Sequence, residues 1–396
     1  MSVIHHAGRF TPDDRAASTW QYLPADVPAG CAGLDVRLSY ERIGGILDLG
    51  CVAPDGWRGW SGGARDRFVI TPNEATPGYL PGELEPGTWH VVLGLHRVPV
   101  QGVGYELTVT TGPTAPAPEA APPPVAPLPP RRDLPAPMGL RWLAGDFHAH
   151  TRHSDGAHTI DALATLAAAR GLDFIAVTDH NTISHHPHLA AAGARAGLTL
   201  IPGQEVTTDS GHANAFGDIG WIDFREPAQS WIDTVAARGG LLSINHPISG
   251  ECSWRQRTSA PPVAEIWHSS WRDRRDGGPL SWWAVQDYAH VPIGGSDWHG
   301  LGVDSLPGSP TTWVACADGD VLDGLRAGRT SISAERNGPL LLRVGDELLV
   351  LGGEGTVLLS SEGRRQLVRG ERAHFPGAPG PHVLESLDRV VLALCG

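Results

Sequence analysis

Apolar and polar residues alternate with a period of two along residues 33–40, 45–52, 67–71, 88–95 and 104–110, and Gly, Pro, Asn and Asp punctuate the intervals. That period places every second side chain on one face of a strand, so residues 1–112 read as a β-sandwich-like domain. From 113 to 137 the alternation gives way to Pro and Ala, including Ala-Pro-Pro-Pro-Val-Ala-Pro-Leu-Pro-Pro. Such a run lacks the N–H groups that a helix or a ladder needs, and it predicts an extended spacer.

After residue 138 the pattern changes again. Short apolar runs at 140–147, 174–178, 198–202, 241–245, 263–267 and 291–294 read as strands, and amphipathic stretches at 159–170, 188–196, 230–238, 280–289 and 321–327 read as helices. Thr159 is a candidate N-cap, and Gly171 and Gly239-Gly240 are helix stops. Repeated β-α units predict a parallel sheet, and this many of them predict a TIM-like barrel over residues 138–335. In a barrel, chemistry gathers at the C-terminal ends of the strands. Residues 336–396 show short strands at 340–344, 347–351, 356–360, 366–369 and 389–394, the pattern of a small C-terminal β region.

Composition narrows the function. The chain of 396 residues carries a formal net charge of −13, which argues against extended nucleic-acid binding. Its cysteines, Cys31, Cys51, Cys252, Cys316 and Cys395, are scattered without a Cys-x-x-Cys pair, so neither a disulfide framework nor a thiolate zinc site is expected. The N-terminal stretch lacks an apolar signal-type core, and no segment approaches 18 uninterrupted apolar residues. A cytoplasmic protein with no membrane partner is expected; its oligomeric state is left open.

The chemistry follows the strands. His148 and His150 stand at i and i+2 after the first barrel strand, a spacing that turns both imidazoles to one side. Later strand ends carry Asp179-His180, Glu205, His246, His268 and Asp297-Trp298-His299. In a barrel these positions face one mouth. Imidazole and carboxylate donors without thiolate suit Zn, Mn or Fe better than Ca, and their number exceeds one coordination sphere, so two or three divalent ions are expected. A metal-bridging water would then serve as the nucleophile. The absence of a Gly-x-x-x-x-Gly-Lys-Ser/Thr loop disfavours a nucleotide-driven kinase or motor.

At this point residues 138–335 resemble the PHP (polymerase and histidinol phosphatase) superfamily of metal-dependent hydrolases. The resemblance rests on His-Ala-His-Thr-x-x-Ser-Asp-Gly at 148–156, Thr-Asp-His at 178–180, Gly-x-Glu at 203–205, Asn-His-Pro at 245–247 and Gly-Ser-Asp-x-His at 295–299. Gly-His-Ala-Asn-Ala-Phe at 211–216 and Leu-Arg-Ala-Gly-Arg-Thr-Ser-Ile-Ser at 325–333 look like the CehA/McbA-type branch, which includes aryl carbamate hydrolases. The resemblance implies a distorted (β/α)7 barrel and a trinuclear centre. By motif, His148, His150, Glu205 and Asp297 would hold one ion; Glu205 would bridge to a second, completed by His212 and His246; Asp155, His180 and His299 would hold a third. His268 departs from the pattern, because similar chains place Asn after Glu-x-Trp, and ligand, proton donor and structural residue stay open for it. Asp179 is expected to orient its neighbours. His153 is expected to point away from the ligand pair, and His158, His185, His186 and His188 are expected to be exposed.

For the substrate, Arg255 and Arg257 follow His246, with Arg272, Arg274 and Arg275 beyond, and Trp254, Trp267, Trp271, Trp282 and Trp283 are interspersed. Guanidinium groups suit phosphate oxygens, and the tryptophans suit an aromatic wall. The expected activity is hydrolysis of a small phosphomono- or diester. A carboxylic ester or aryl carbamate is the alternative substrate for the same centre, and a non-catalytic ligand-binding barrel is a third reading.

Overall fold

The structure, a computed structural model, describes residues 1–118, 121–124, 128–302, 305–317 and 319–396. Residues 119–120 and 125–127 of the expected spacer lie outside the described residues. The chain divides into two units: Met1–Ala121 with Thr151–Ala157 and Asp179–Pro187, and Pro122–His150 with His158–Thr178 and His188–Gly396. Secondary structure is mixed α/β, with large sheets and few helices.

The first unit contains β1 (Ser2–Phe10), α1 (Pro12–Ala17), β2 (Trp20–Val27), β3 (Leu34–Tyr40), β4 (Ile46–Ala53), β5 (Gly56–Gly62), β6 (Arg67–Ile70), β7 (Gly87–Arg97) and β8 (Val103–Thr111). They form two antiparallel sheets, β1-β8-β3-β6 and β2-β7-β4-β5. Leu34, Val36 and Leu38 of one sheet share a core with Trp89, Val91, Leu93 and Leu95 of the other, as period-two alternation requires. Three strands go beyond the sequence expectation. β1 is largely exposed, and β5 reads Gly-Trp-Arg-Gly-Trp-Ser-Gly, so neither alternates apolar with polar. β2 contains Pro24, which its place at a sheet edge tolerates.

In the second unit, β9 (Arg141–Asp146), α2 (Ile160–Ala169), β10 (Phe174–Val177), α3 (His186–Ala196) and β11 (Thr199–Thr208) follow the expected alternation. The Thr159 hydroxyl accepts from the Ala162 N–H at 3.2 Å, starting α2, which buries Ile160, Leu163, Ala164, Ala167 and Ala168 on one stripe. All four residues of β10 are buried, which suits a strand covered on both faces.

The alternation then breaks. β12 (Gly211–Phe216) pairs antiparallel with β11, because Asp209-Ser210 leaves room for a turn but not for a crossover helix. α4 (Ala228–Ala237), β13 (Leu241–Ile244), β14 (Val263–His268), α5 (Gly278–Val285) and β15 (Val291–Gly295) follow, with no α-helix between β13 and β14. β12 is antiparallel to β13 also, so the sheet is mixed rather than wholly parallel. β16 (Thr311–Cys316) lies antiparallel to β9, and its Thr312 hydroxyl accepts from Gly294 N–H at 2.7 Å and donates to Gly294 O at 2.9 Å, linking β16 to β15.

The chain continues through α6 (Val321–Arg326), β17 (Thr330–Ser333), β18 (Leu340–Val344), β19 (Glu347–Leu351), β20 (Val357–Ser360), β21 (Arg365–Leu367), β22 (Arg372–Pro376), β23 (His382–Glu385) and β24 (Val391–Cys395). The C-terminal strands are divided between two sheets. β24, β23, β20 and β21 extend from β17 to complete a thirteen-stranded sheet, while β18, β19 and β22 form a three-stranded one. Leu341, Leu348, Leu358 and Leu384 share a core between them. The end of the expected spacer is docked in this unit: Trp142 Nε1 donates to Pro135 O at 3.0 Å, and Arg336 donates to Pro130 O at 2.7 Å. Among the described residues no helix is long and apolar enough to cross a membrane, and all five cysteines are free.

Candidate metal centre

Past the end of β9 the chain runs through Phe147 to His150, held by a bridge between Ala149 and Trp298 and by the His150 N–H donating to Trp298 O at 2.9 Å. His148 and His150 are both fully buried. Glu205 lies on β11 and His212 on β12; His246 follows β13, Glu265 and His268 lie on β14, and Asp297 and His299 follow β15. His246 and Asp297 have positive φ, 27° and 51°, a conformation that non-glycine residues adopt at a cost and that concentrates at functional sites.

One group brings four donors together: ligand atoms of His148, His150, Glu205 and Asp297 all lie within 4.8 Å of one another. His148 Nε2 is 3.2 Å from both Glu205 Oε1 and Asp297 Oδ1. His150 Nε2 is 3.4 Å from Glu205 Oε2 and 2.9 Å from Asp297 Oδ1. Tetrahedral bonds to zinc, at ~2.0–2.1 Å, put neighbouring ligand atoms roughly 3.3 Å apart, so the spacings fit a divalent ion of that class. His148 Nε2 makes no aligned hydrogen bond despite these two contacts, which further suits a ligand atom.

Glu205 is the hub. Its Oε1 is also 3.2 Å from His212 Nδ1 and 3.3 Å from His246 Nε2, and it accepts from Asn245 Nδ2 at 2.8 Å. Three imidazoles and one amide thus meet a single carboxylate oxygen. His268 Nε2 lies 3.3 Å from Asp297 Oδ2 and its Nδ1 2.7 Å from the Ser270 hydroxyl, while His299 stacks on His150 with ring centres 4.2 Å apart.

Two supporting carboxylates escaped the sequence reading. Glu265 Oε1 is 3.1 Å from His148 Nδ1, and its Oε2 accepts from the His246 N–H at 2.8 Å. Its signal was a charged residue inside an apolar strand. Asp146 accepts from the N–H groups of His148 and Ser296 at 3.0 Å and of Gly308 at 2.7 Å, tying the loops together, and its burial pushes its pKa up. Gly295 is required at its position: a Cβ there would meet Glu265 Oε1 at 2.3 Å and His148 Cβ at 2.5 Å.

The electrostatics follow from these distances. Burial alone disfavours a charged imidazole, yet Asp297, Glu205 and Glu265 surround His148 and hold its pKa well above the ordinary value. Glu205 raises His246 in the same way against the effect of burial. Burial would lift Asp297, but His148, His150 and His268 hold it well below the carboxylate range. A field that favours a proton on His148 also favours a cation there.

Asp155 and His180 belong to the first unit, with His180 Nε2 3.7 Å from Asp155 Oδ1. Asp179 is fully buried and accepts four hydrogen bonds from Thr151 and Ser154. His153 bonds the Ser184 hydroxyl at 2.7 Å. His185 is not exposed, as its loop context predicts, but fully buried 3.4 Å from Asp179 Oδ2. His158 and His186 are half-buried, and His188 is exposed.

A cavity of about 270 Å³ opens beside His246, Glu265 and His268, walled by Ile248, Trp271 and Pro279. Arg255 and Arg257 are exposed and do not line it, and Arg255 reaches back to Gly250 O at 3.4 Å. The Arg255 N–H is bonded to Ser210 O. Trp267, Trp271 and Trp283 are core residues, and Trp271 also lines the cavity.

Residues 146–247 match the family described as PHP domain. An 84-residue segment is 40% identical to the 3',5'-nucleoside bisphosphate phosphatase of Chromobacterium violaceum, covering 21% of this chain and 29% of that protein. A 77-residue segment is 38% identical to the PolC-type DNA polymerase III of Streptococcus pneumoniae, covering 19% of this chain and 5% of the polymerase. Among solved structures, a "two-domain protein containing predicted PHP-like metal-dependent phosphoesterase" from Bacteroides vulgatus superposes with a TM-score of 0.40 at 16% identity, covering 67% of this chain and 91% of that one.

Proposed function

We propose that this protein is a metal-dependent phosphoesterase acting on a small phosphomono- or diester. The observation that carries the reading is the buried quartet His148, His150, Glu205 and Asp297, whose donor atoms already stand at coordination spacing. The segment shared with the nucleoside bisphosphate phosphatase supports a phosphoester as the substrate class. In this reading His212 and His246 would join Glu205 in holding a second Zn, Mn or Fe ion, and Asp155 and His180 would be ligands of a further one. Bound ions would supply a water that deprotonates near neutral pH and would withdraw charge from the phosphoryl oxygen.

The chain's own residues perform the rest. Glu265 fixes the His148 ring, Asn245 holds the Glu205 carboxylate, and His268, at the cavity wall, faces the substrate. We further propose that β9 to β16 close into a distorted barrel, which the Thr312–Gly294 link supports, and that the first unit's paired sheets form a sandwich.

The cavity wall favours a second reading, a carboxylic ester or aryl carbamate hydrolase, because its described lining includes Asp276 and Glu265 but no Arg or Lys. Metal analysis, followed by assays on p-nitrophenyl phosphate, bis-p-nitrophenyl phosphate and 1-naphthyl N-methylcarbamate with Mn²⁺ or Zn²⁺, separates the two. Phosphoester turnover is expected. Turnover of the carbamate alone would reverse the assignment, and purified protein that neither holds nor takes up metal would sink both.

A further inference from the structure

Residues 151–157 and 179–187 carry Asp155 and His180, yet they pack with the N-terminal strands. The connections are specific and largely buried. Arg65, in the loop between β5 and β6, donates to Ser154 O at 2.8 Å and to Arg152 O. The Ser184 hydroxyl accepts from Gly78 N–H at 2.9 Å, and the Thr182 hydroxyl donates to Gly78 O at 2.9 Å. Gly78, at φ 102°, has no room for a side chain: a Cβ would meet Trp60 O at 2.7 Å and His153 O at 2.9 Å. Between the two loops, Asp179 gathers the backbone and hydroxyls of Thr151 and Ser154 at 2.6–3.0 Å.

We propose that the N-terminal β region is a positioning frame for the Asp155–His180 pair, with Arg65 and Ser184 as positioning residues. The inference rests on reading Asp155 and His180 as metal ligands. Asp155, its side chain 45% exposed, is carried by a backbone whose position other residues set. Its location follows from Ser154, the preceding residue, whose carbonyl is held by Arg65 and whose N–H and hydroxyl are held by Asp179. His180 is positioned in the same way, between Asp179 and the Thr182–Ser184 turn that is bonded to Gly78. A ligand carried by a loop contributes its full affinity only if the loop is already ordered, since the ordering cost otherwise subtracts from binding. The frame supplies that order to the Asp155–His180 pair.

The test is a Mn²⁺ titration of the metal-depleted full-length protein, with free Mn²⁺ followed by electron paramagnetic resonance, on wild type, Asp155→Asn, Arg65→Ala, Arg65→Lys and Ser184→Ala. Asp155→Asn is expected to weaken one equivalent. Arg65→Ala and Ser184→Ala should weaken that same equivalent about 10–100-fold, the range for residues that orient ligands, and leave the others as in wild type. Arg65→Lys should recover part of the loss. The proposal is overturned if Arg65→Ala and Ser184→Ala both bind as wild type while Asp155→Asn is weakened. It is equally overturned if both lose every equivalent together with the folded circular dichroism spectrum, since the contacts would then be purely structural. If Asp155→Asn itself binds as wild type, the ligand reading fails first and separately.

Discussion

His148 Nδ1 lies 3.1 Å from Oε1 of Glu265, 117 residues along the chain, and both side chains are shut off from solvent. The contact turns the imidazole so that Nε2 is the atom near Glu205 and Asp297. A carboxylate behind a ligating histidine fixes its tautomer and raises its basicity. Glu265→Gln keeps the shape and removes the charge. Metal affinity measured by titration should fall about 10–100-fold while circular dichroism is unchanged; wild-type affinity would show that the pair is incidental.

Gly295 is the condition for that contact. Gly295→Ala would put a methyl group 2.3 Å from Glu265 Oε1 and 2.5 Å from His148 Cβ, with buried neighbours on both sides. Overpacking of this kind costs about 1–3 kcal/mol, read as a lower denaturation midpoint, and metal affinity should fall with it. A variant as stable as wild type would mean that β14 and β15 separate easily.

The buried charges predict how the metal-depleted protein responds to pH. His148 has a folded pKa well above its unfolded value of 6.5, so its contribution to stability is fully present below 6.5 and is lost as pH rises through the folded value. Asp297 is depressed, so its contribution is present above its unfolded value of 3.8 and is lost as pH falls through the folded one. Thermal midpoints of the chelated protein should therefore decline on the alkaline side of neutrality. Added Zn²⁺ should flatten that decline and release protons, seen as a dependence of the binding heat on buffer ionisation enthalpy. A midpoint that rises through the same window would contradict the assignment.

Arg255 and Arg257 offer a sharp test because both are exposed and outside the cavity wall. Arg255→Ala and Arg257→Ala should change kcat/KM on a phosphoester by no more than about threefold, or ~0.7 kcal/mol. A hundredfold loss in either would show that the loop closes over the substrate and brings the guanidinium to the phosphate.

His268 lies 3.3 Å from Asp297 Oδ2 and borders the cavity. If it faces the substrate, His268→Asn should lower kcat at least about tenfold with the full metal complement retained. Loss of a bound equivalent would instead make it a ligand in the group that it forms with His148 and Glu265.

The sequence alone determined which residues are chemically equipped for a metal centre. His148 and His150 at i and i+2, and Glu205, His246 and Asp297 at or near strand ends, are local features, because a strand's periodicity and its end are written within a few residues. The position of most strands was readable for the same reason. Tertiary structure decided what depends on residues meeting from far apart. Glu265 reads as an oddity within an apolar strand until β14 lies beside β15 and His148 comes within 3.1 Å. The antiparallel β12 hides among expected β-α units, since strand direction is set by the length of the connection and the partner rather than by periodicity. The loops of Asp155 and His180 carry no mark in their own residues of the Arg65 and Gly78 contacts that hold them, because hydrogen bonds to backbone carbonyls and N–H groups leave no side-chain signature.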